Sequence, residues 1–202
     1  MDRPLEAIVL AAGFGARFGG GKLTAPWRDG VLLDGALTAA FAAPARTVTV
    51  VWGADAAVPE AAKAFAEHAG EAARLKLVNA PDHAEGMAAT LRAGIASLAP
   101  DAAGAFVFLG DMPRVPVAVL HKLAAALADG SPAAAPLFEG RRGHPVLFSS
   151  SLFPQLLGLT GDEGARAVLQ RLGKTLATVE APDDGVLFDI DLLSDMDGNG
   201  AR

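Results

Sequence analysis

The chain has 202 residues, 51% hydrophobic and 20% charged, with a net charge of −6 and no cysteine. That is apolar material for one sizeable core and one domain. The missing thiols exclude disulfides, thiolate metal sites and cysteine nucleophiles, and the lack of any basic block argues against a nucleic-acid duplex as partner.

Short apolar runs alternate with windows rich in Ala and Leu. The runs Ala7–Leu10, Thr47–Trp52, Leu75–Val78 and Ala105–Leu109 predict strands, as do Ala133–Leu137, Pro145–Phe148, Leu176–Val179 and Val186–Ile190. Several are apolar without alternation, the mark of strands covered on both faces. Helices are expected near Leu32–Ala42, Pro59–Ala69, Met87–Leu98, Pro116–Ala128 and Glu163–Leu172. Pro59 and Pro116 suit first turns, where a missing N–H is tolerated. The βαβα rhythm predicts a single-domain, Rossmann-like three-layer α/β/α sandwich on a mostly parallel sheet. Residues 192–202, polar and glycine-rich, are expected to fray. No basic segment precedes the first apolar run and no window approaches about twenty uninterrupted apolar residues, so a cytoplasmic protein without signal peptide or membrane span is expected.

In such a sheet, ligands bind beyond the carboxyl ends of the strands. The first strand runs into "AAGFGARFGGGK", residues 11–22, which holds five glycines, Arg17 and Lys22. A dinucleotide fingerprint fails because Phe18 stands at its third glycine. A Walker A loop fails because Ala16 stands at its first glycine and Leu23 follows Lys22. Glycines still let several N–H groups converge on an anion, while Arg17 forks onto phosphate oxygens and Lys22 adds a point charge. A phosphate-binding loop is the expectation.

Asp111 follows a buried run in "FVFLGDMPRV", and "VLFDIDLLSD" supplies Asp189 and Asp191, two apart and on one side of an extended chain. Together they predict a magnesium or manganese site, because a hard cation takes one or two carboxylates plus phosphate oxygens and water. The run Asp195–Gly200 imitates a calcium loop, but its glycine is shifted and no closing Glu follows. Thr90 falls in the first turn of a helix starting near Gly86, where N–H groups and a hydroxyl can read a base or ribose. "EGRRGHPVLFS" gathers Arg141, Arg142 and His144, which alone read as a solvated hairpin-like turn. His68, His83 and His121 lack ligand spacing and are expected on the surface; Trp27 and Trp52 read as packing residues. No nucleophile elbow is present.

"LAAGFGARFGGGK" resembles the L-A-A/G-G-x-G-x-R-F/M-G-x-x-K signature of the MobA-like nucleotidyltransferases. Its Ala11-Ala12-Gly13 form is similar to that of the molybdenum cofactor cytidylyltransferases among them. Gly110-Asp111-Met112-Pro113 resembles the family's metal-binding G-D-x-P, and Phe188-Asp189-Ile190-Asp191 its F-D-I-D. The stretch from Gly86 resembles G-M-S-x-S-L-R-x-G, with Thr90 for a Ser, and residues 142–148 resemble R-G-H/N-P-V-L-F/L. Residues 161–169, "GDEGARAVL", match a further segment that the resemblance puts on the acceptor side. F-D-I-D usually continues T-P-E-D, whereas here Leu192-Leu193-Ser194-Asp195 follows. That leaves open which of Asp189 and Asp191 reaches the metal, with Asp189 favoured by the family pattern.

The resemblance implies a nucleotide-diphospho-sugar transferase-like fold and magnesium-dependent transfer of CMP from CTP to the terminal phosphate of molybdopterin, with release of pyrophosphate. It implies that Leu10, Ala11, Ala12, Gly13 and Gly15 wrap the nucleotide together with Gly86 and Thr90, and that Arg17 and Lys22 hold its phosphates. Asp111 with Asp189 or Asp191 would hold the metal, Arg142 and His144 would face the acceptor, and a molybdenum hydroxylase would receive the product. Two other readings are compatible with the residues. One is nucleotidyl transfer from GTP, or to a sugar phosphate or isoprenoid-precursor phosphate. The other is a non-catalytic molybdenum cofactor carrier, which has no need of two acidic motifs.

Overall fold

The computed structural model describes residues 3–13, 18–162 and 164–191. The first half of the chain forms β1 (Leu5–Ala11), β2 (Pro26–Trp27), β3 (Gly30–Val31), α1 (Leu32–Ala42), β4 (Val48–Trp52), α2 (Ala57–His68), β5 (Leu75–Asn79) and α3 (Met87–Ala96). The second half adds β6 (Gly104–Leu109), α4 (Ala118–Ala128), β7 (Ala133–Phe138), β8 (Arg141–Arg142), β9 (Val146–Ser149), α5 (Phe153–Leu157), α6 (Arg166–Leu172) and β10 (Leu176–Glu180).

The main sheet runs β10-β7-β9-β6-β1-β4-β5, with β8 added to β7. Only β8 and β9 run against their neighbours in it; the other pairings are parallel. The apolar β1 is central because both of its faces are buried. Ala7, Val9 and Ala11 enter a core roofed by α1, α2 and α4, while Ile8 and Ala12 enter a second core under α3, α5 and α6. The result is the expected three-layer sandwich. Because β1, β4, β5, β6, β7 and β10 share one direction, the segments after Ala11, Trp52, Asn79, Leu109, Phe138 and Glu180 all gather at one edge. Among the described residues, no helix is long and apolar enough to cross a membrane.

Two local expectations need correction, and two short elements were not expected. Val186–Ile190 is not a strand. Residues Asp184–Val186 form a 3₁₀ turn capped by the Asp183 side chain, which accepts from Gly185 N. The backbone beyond bonds to loops instead of a ladder: Val186 O accepts from His144 N at 2.8 Å, and Ile190 N donates to Asp111 O at 3.1 Å. Pro116 precedes α4, with Val117 as its N-cap, and accepts at its carbonyl from Val119 N. Helix α5, only five residues with Pro154 at its start, is too short for its periodicity to register. The hairpin β2–β3 is shorter still, at two residues a strand. The tail over residues 192–202 lies outside the described residues.

Candidate active site

The glycine-rich stretch ends in Gly19, Gly20 and Gly21, all with left-handed φ, and turns the chain into a 3₁₀ segment that begins with Lys22. Lys22 Nζ donates to Asp111 Oδ2 at 2.8 Å and to Asp191 Oδ1 at 3.3 Å. Its side chain is only 11% exposed and Asp111's is 28% exposed. Burial works against the ammonium, but the hydrogen bonds and charges of Asp111 and then Asp191 outweigh it, so the Lys22 pKa lies above the ordinary lysine value. Asp111 sits one residue past Gly110, whose N–H extends the β1–β6 pairing by donating to Leu10 O. Asp189 has its pKa raised, first by partial desolvation, although the residue as a whole stays exposed, and then by the like charge of Asp191 and Asp111. The three expected carboxylates therefore lie in one electrostatic neighbourhood. They do not form a preformed cage: among the described residues, no three His, Cys, Asp or Glu side chains close on one point. Magnesium needs only one or two protein carboxylates beside phosphate oxygens, so this donor set fits it.

Lys22 and Asp111 border a cavity of about 470 Å³, within the range of small-molecule sites. Leu10, Ala12, Gly13, Gly86 and Thr90 also line it, as expected. Ala11 does not: strand alternation turns its side chain into the opposite core, where it is 2% exposed. Gly86 is the N-cap of α3 at φ +109°, and Thr90, buried, sits on the helix behind it. Gly15 and Arg17 lie outside the described residues.

Arg142 and His144 line a second cavity, of about 310 Å³, whose wall shares Leu10, Met87 and Leu109 with the first. The expected hairpin-like turn is real: Leu137 pairs with Arg142 and Phe138 with Arg141 around Glu139 and Gly140, both at positive φ. Burial lowers the His144 pKa, opposed by a hydrogen bond to the Val107 backbone and by the charge of Asp111, and Nδ1 is buried without a hydrogen-bond partner among the described residues.

Among the other lining residues, four stand out. His83, expected on the surface, is half-buried in the first cavity; its Nδ1 lies 2.9 Å from Ala80 O and its ring packs over Gly53. Its position just past β5, at the carboxyl edge, was the available signal. Met87, 43% exposed, borders both cavities. Asp162 lines the first and Arg166 the second, so the segment expected on the acceptor side reaches both.

The model of the MobA-like NTP transferase domain matches residues 7–176. The chain is 33% identical over 196 residues to the purine catabolism protein PucB of Bacillus subtilis, covering 96% of this chain and 94% of that one. It is 25% identical to the molybdenum cofactor cytidylyltransferase of Escherichia coli, over 95% and 93% of the two chains. The crystal structure of Rv0371c from Mycobacterium tuberculosis superposes with a TM-score of 0.80 at 27% identity, covering 96% of each chain. The fold is that of the nucleotide-diphospho-sugar transferases and the chain is a nucleotidyltransferase: it belongs to the MobA-like NTP transferase family.

Proposed function

We propose that the protein is a magnesium-dependent cytidylyltransferase that moves CMP from CTP to the terminal phosphate of a molybdopterin-type cofactor and releases pyrophosphate. The observation that carries this reading is the convergence of Lys22, Asp111 and Asp191 at the mouth of one cavity that adjoins a second, arginine-bearing one. The similarity to the Escherichia coli enzyme supplies the choice of CTP and of acceptor.

The chemistry asks little of the protein beyond alignment and charge. A phosphomonoester is largely dianionic near neutral pH, so its oxygen attacks the α-phosphorus without a strong base. One P–O bond forms there as the bond to the β-phosphate breaks, and the electron pair leaves with pyrophosphate. Lys22 supplies a positive charge to the triphosphate, the loop backbone at Gly13 and Gly19–Gly21 holds it still, and Arg142 grips the acceptor's phosphate. Asp111, with Asp189 or Asp191, would hold magnesium or manganese, which when bound neutralises charge on the phosphate oxygens. A molybdenum hydroxylase would be the receiver of the product.

Pyrophosphate release with magnesium and isolated molybdenum cofactor, comparing CTP, GTP, ATP and UTP, tests this reading. Release with CTP, lost on chelation and in Asp111→Ala, is the expected result. Release with GTP alone, or only with another phosphorylated acceptor, would overturn the substrate assignment; cofactor binding with silence for every nucleotide would leave a carrier.

A further inference from the structure

The two cavities meet at a wall formed by Leu10, Met87 and Leu109, and one short segment reaches both. Asp162 lines only the first cavity; Arg166, four residues on, lines only the second. Both are exposed, and the chain just ahead of Asp162 is tied to α3. Gly161 O accepts from Ala88 N at 3.1 Å, and Arg92 donates to Leu159 O at 2.7 Å while pairing with Glu85 at 3.0 Å. A Cβ on Gly86 would stand 1.9 Å from Asp162 Oδ1, and one on Gly164, at φ +54°, would stand 2.9 Å from Met87 Sδ. Glycines at these two places let the segment lie flat against the first turn of α3.

We propose, resting on the transferase reading above, that Asp162 and Arg166 determine specificity on opposite sides of this partition. Asp162 receives a hydrogen bond from the nucleoside, and Arg166 joins Arg142 in gripping the acceptor's phosphate. A carboxylate is an acceptor only and repels phosphate. Lys22 bonds Asp111 and Asp191, whereas Asp162 stands against Gly86 at the start of α3; with the triphosphate on Lys22, the donors left for Asp162 are a base's exocyclic amine and the ribose hydroxyls. Arg166 presents a guanidinium fork beside an otherwise largely apolar wall, in a chain of net charge −6 that cannot attract anions by its overall field. The second cavity thus takes a phosphomonoester with a bulky organic body.

Two calorimetric titrations test this without turnover. The first adds magnesium·CTP to the protein; the second adds inorganic phosphate to protein saturated with magnesium and α,β-methylene-CTP. Asp162→Ala is expected to weaken CTP about tenfold or more and leave phosphate within about twofold. Arg166→Ala is expected to do the reverse. Both variants should melt with the wild type; Asp162→Asn and Arg166→Gln replace any that does not. Repeating the first titration with UTP and 2′-deoxy-CTP separates the donors. Loss with CTP but not UTP assigns the contact to the base amine, and loss with both but not with 2′-deoxy-CTP assigns it to the ribose. Parallel losses in the two titrations, or none in either, would overturn the proposal. A wild-type protein that binds both probes as described yet releases no pyrophosphate would overturn the transferase reading instead.

Discussion

Each end of the sheet sets a cation against carboxylates, and the two clusters do opposite things. At the amino edge, Arg46 donates through Nε to Glu6 at 2.9 Å and makes a two-pronged contact with Asp101 at 2.8 and 2.9 Å. Thr47 closes the second oxygen of Glu6, which is completely buried. The guanidinium pairing holds the Asp101 carboxyl below its usual range. At the carboxyl edge, Lys22 meets Asp111 and Asp191 with a single compact ammonium, and the cluster opens on the larger cavity. The planar fork engages both oxygens of Asp101 and ties three segments together, whereas the compact ammonium meets one oxygen of each carboxylate beside a cavity. Composition does not tell the two apart. Strand direction does, because ligands bind where parallel strands end.

The sharpest way to break this comparison is to remove the cation or the first carboxylate at the carboxyl edge. Lys22→Ala and Asp111→Asn are each expected to lower kcat by roughly 10²–10³-fold, the range for deleting one electrostatic contact to a charged transition state. The cost in stability should be far smaller than the cost in turnover, about 1–3 kcal/mol, since Lys22 is largely buried while its two carboxylate partners keep some access to water. Steady-state pyrophosphate release and thermal melting, read on the same samples, check both halves. A folded Lys22→Ala protein with full turnover would make this cluster as structural as its counterpart.

The mirror experiment lies at the amino edge. Glu6→Ala removes a buried carboxylate that two neighbours bond, at an expected cost of about 3 kcal/mol. For a chain of this size that corresponds to a melting temperature lower by roughly 6–12 °C. Below that temperature kcat should be unchanged, because neither cavity reaches Glu6. A drop in kcat at a temperature where the variant is fully folded would couple the two edges.

Much of this geometry was legible in the sequence, and the exceptions share a cause. Helix α1 lies over the expected Leu32–Ala42, and the strand expected at Ala105–Leu109 differs from β6 by one residue, because uninterrupted apolar runs between turn residues leave few choices. Asp111 was legible because it stands just past such a run. Val186–Ile190 misled for the same reason: Val186 and Ile190 are buried as expected, but between loops, and apolar character reports burial without reporting hydrogen-bond partners. Asp162 and Arg166 lie in the segment that the resemblance puts on the acceptor side, but it gives neither residue a role of its own. They acquire a role only once α3 and α6 bring distant segments to one wall, and a single chain does not display contacts of that kind. The orientation of Ala11 was available from strand alternation alone, which places it and Ala12 on opposite faces.

A finer contrast separates two glycines within the first cavity. Gly86, at φ +109°, has Asp162 where a side chain would go, whereas among the described residues nothing lies within 4 Å of a Cβ on Gly13 and its φ is outside the left-handed range. Gly86→Ala is therefore expected to cost about 1–3 kcal/mol and to weaken CTP binding by displacing Asp162. Gly13→Ala should leave the melting temperature in place, so any effect it has on CTP affinity reports contact with the ligand. Equal melting of the two variants would remove the distinction.

The smallest expected effect belongs to His144, in the second cavity. Its folded-state pKa lies below the ordinary histidine value, chiefly because burial disfavours the imidazolium. Above the unfolded value of about 6.5 both states are neutral there, and the group adds no pH dependence. As pH falls through that value, the unfolded chain takes up a proton that the folded site resists, so stability declines until the folded pKa is passed. Wild-type melting temperature should therefore fall as pH drops from about 7 towards 5, and the fall should be shallower in His144→Gln, which cannot take up the proton. The carboxylates are common to both proteins, so the difference between the two curves isolates the histidine. An opposite sign, with His144→Gln losing more stability on acidification, would mean that the imidazole is charged in the folded protein. It would then stand beside Arg142 as a second cation for the acceptor's phosphate.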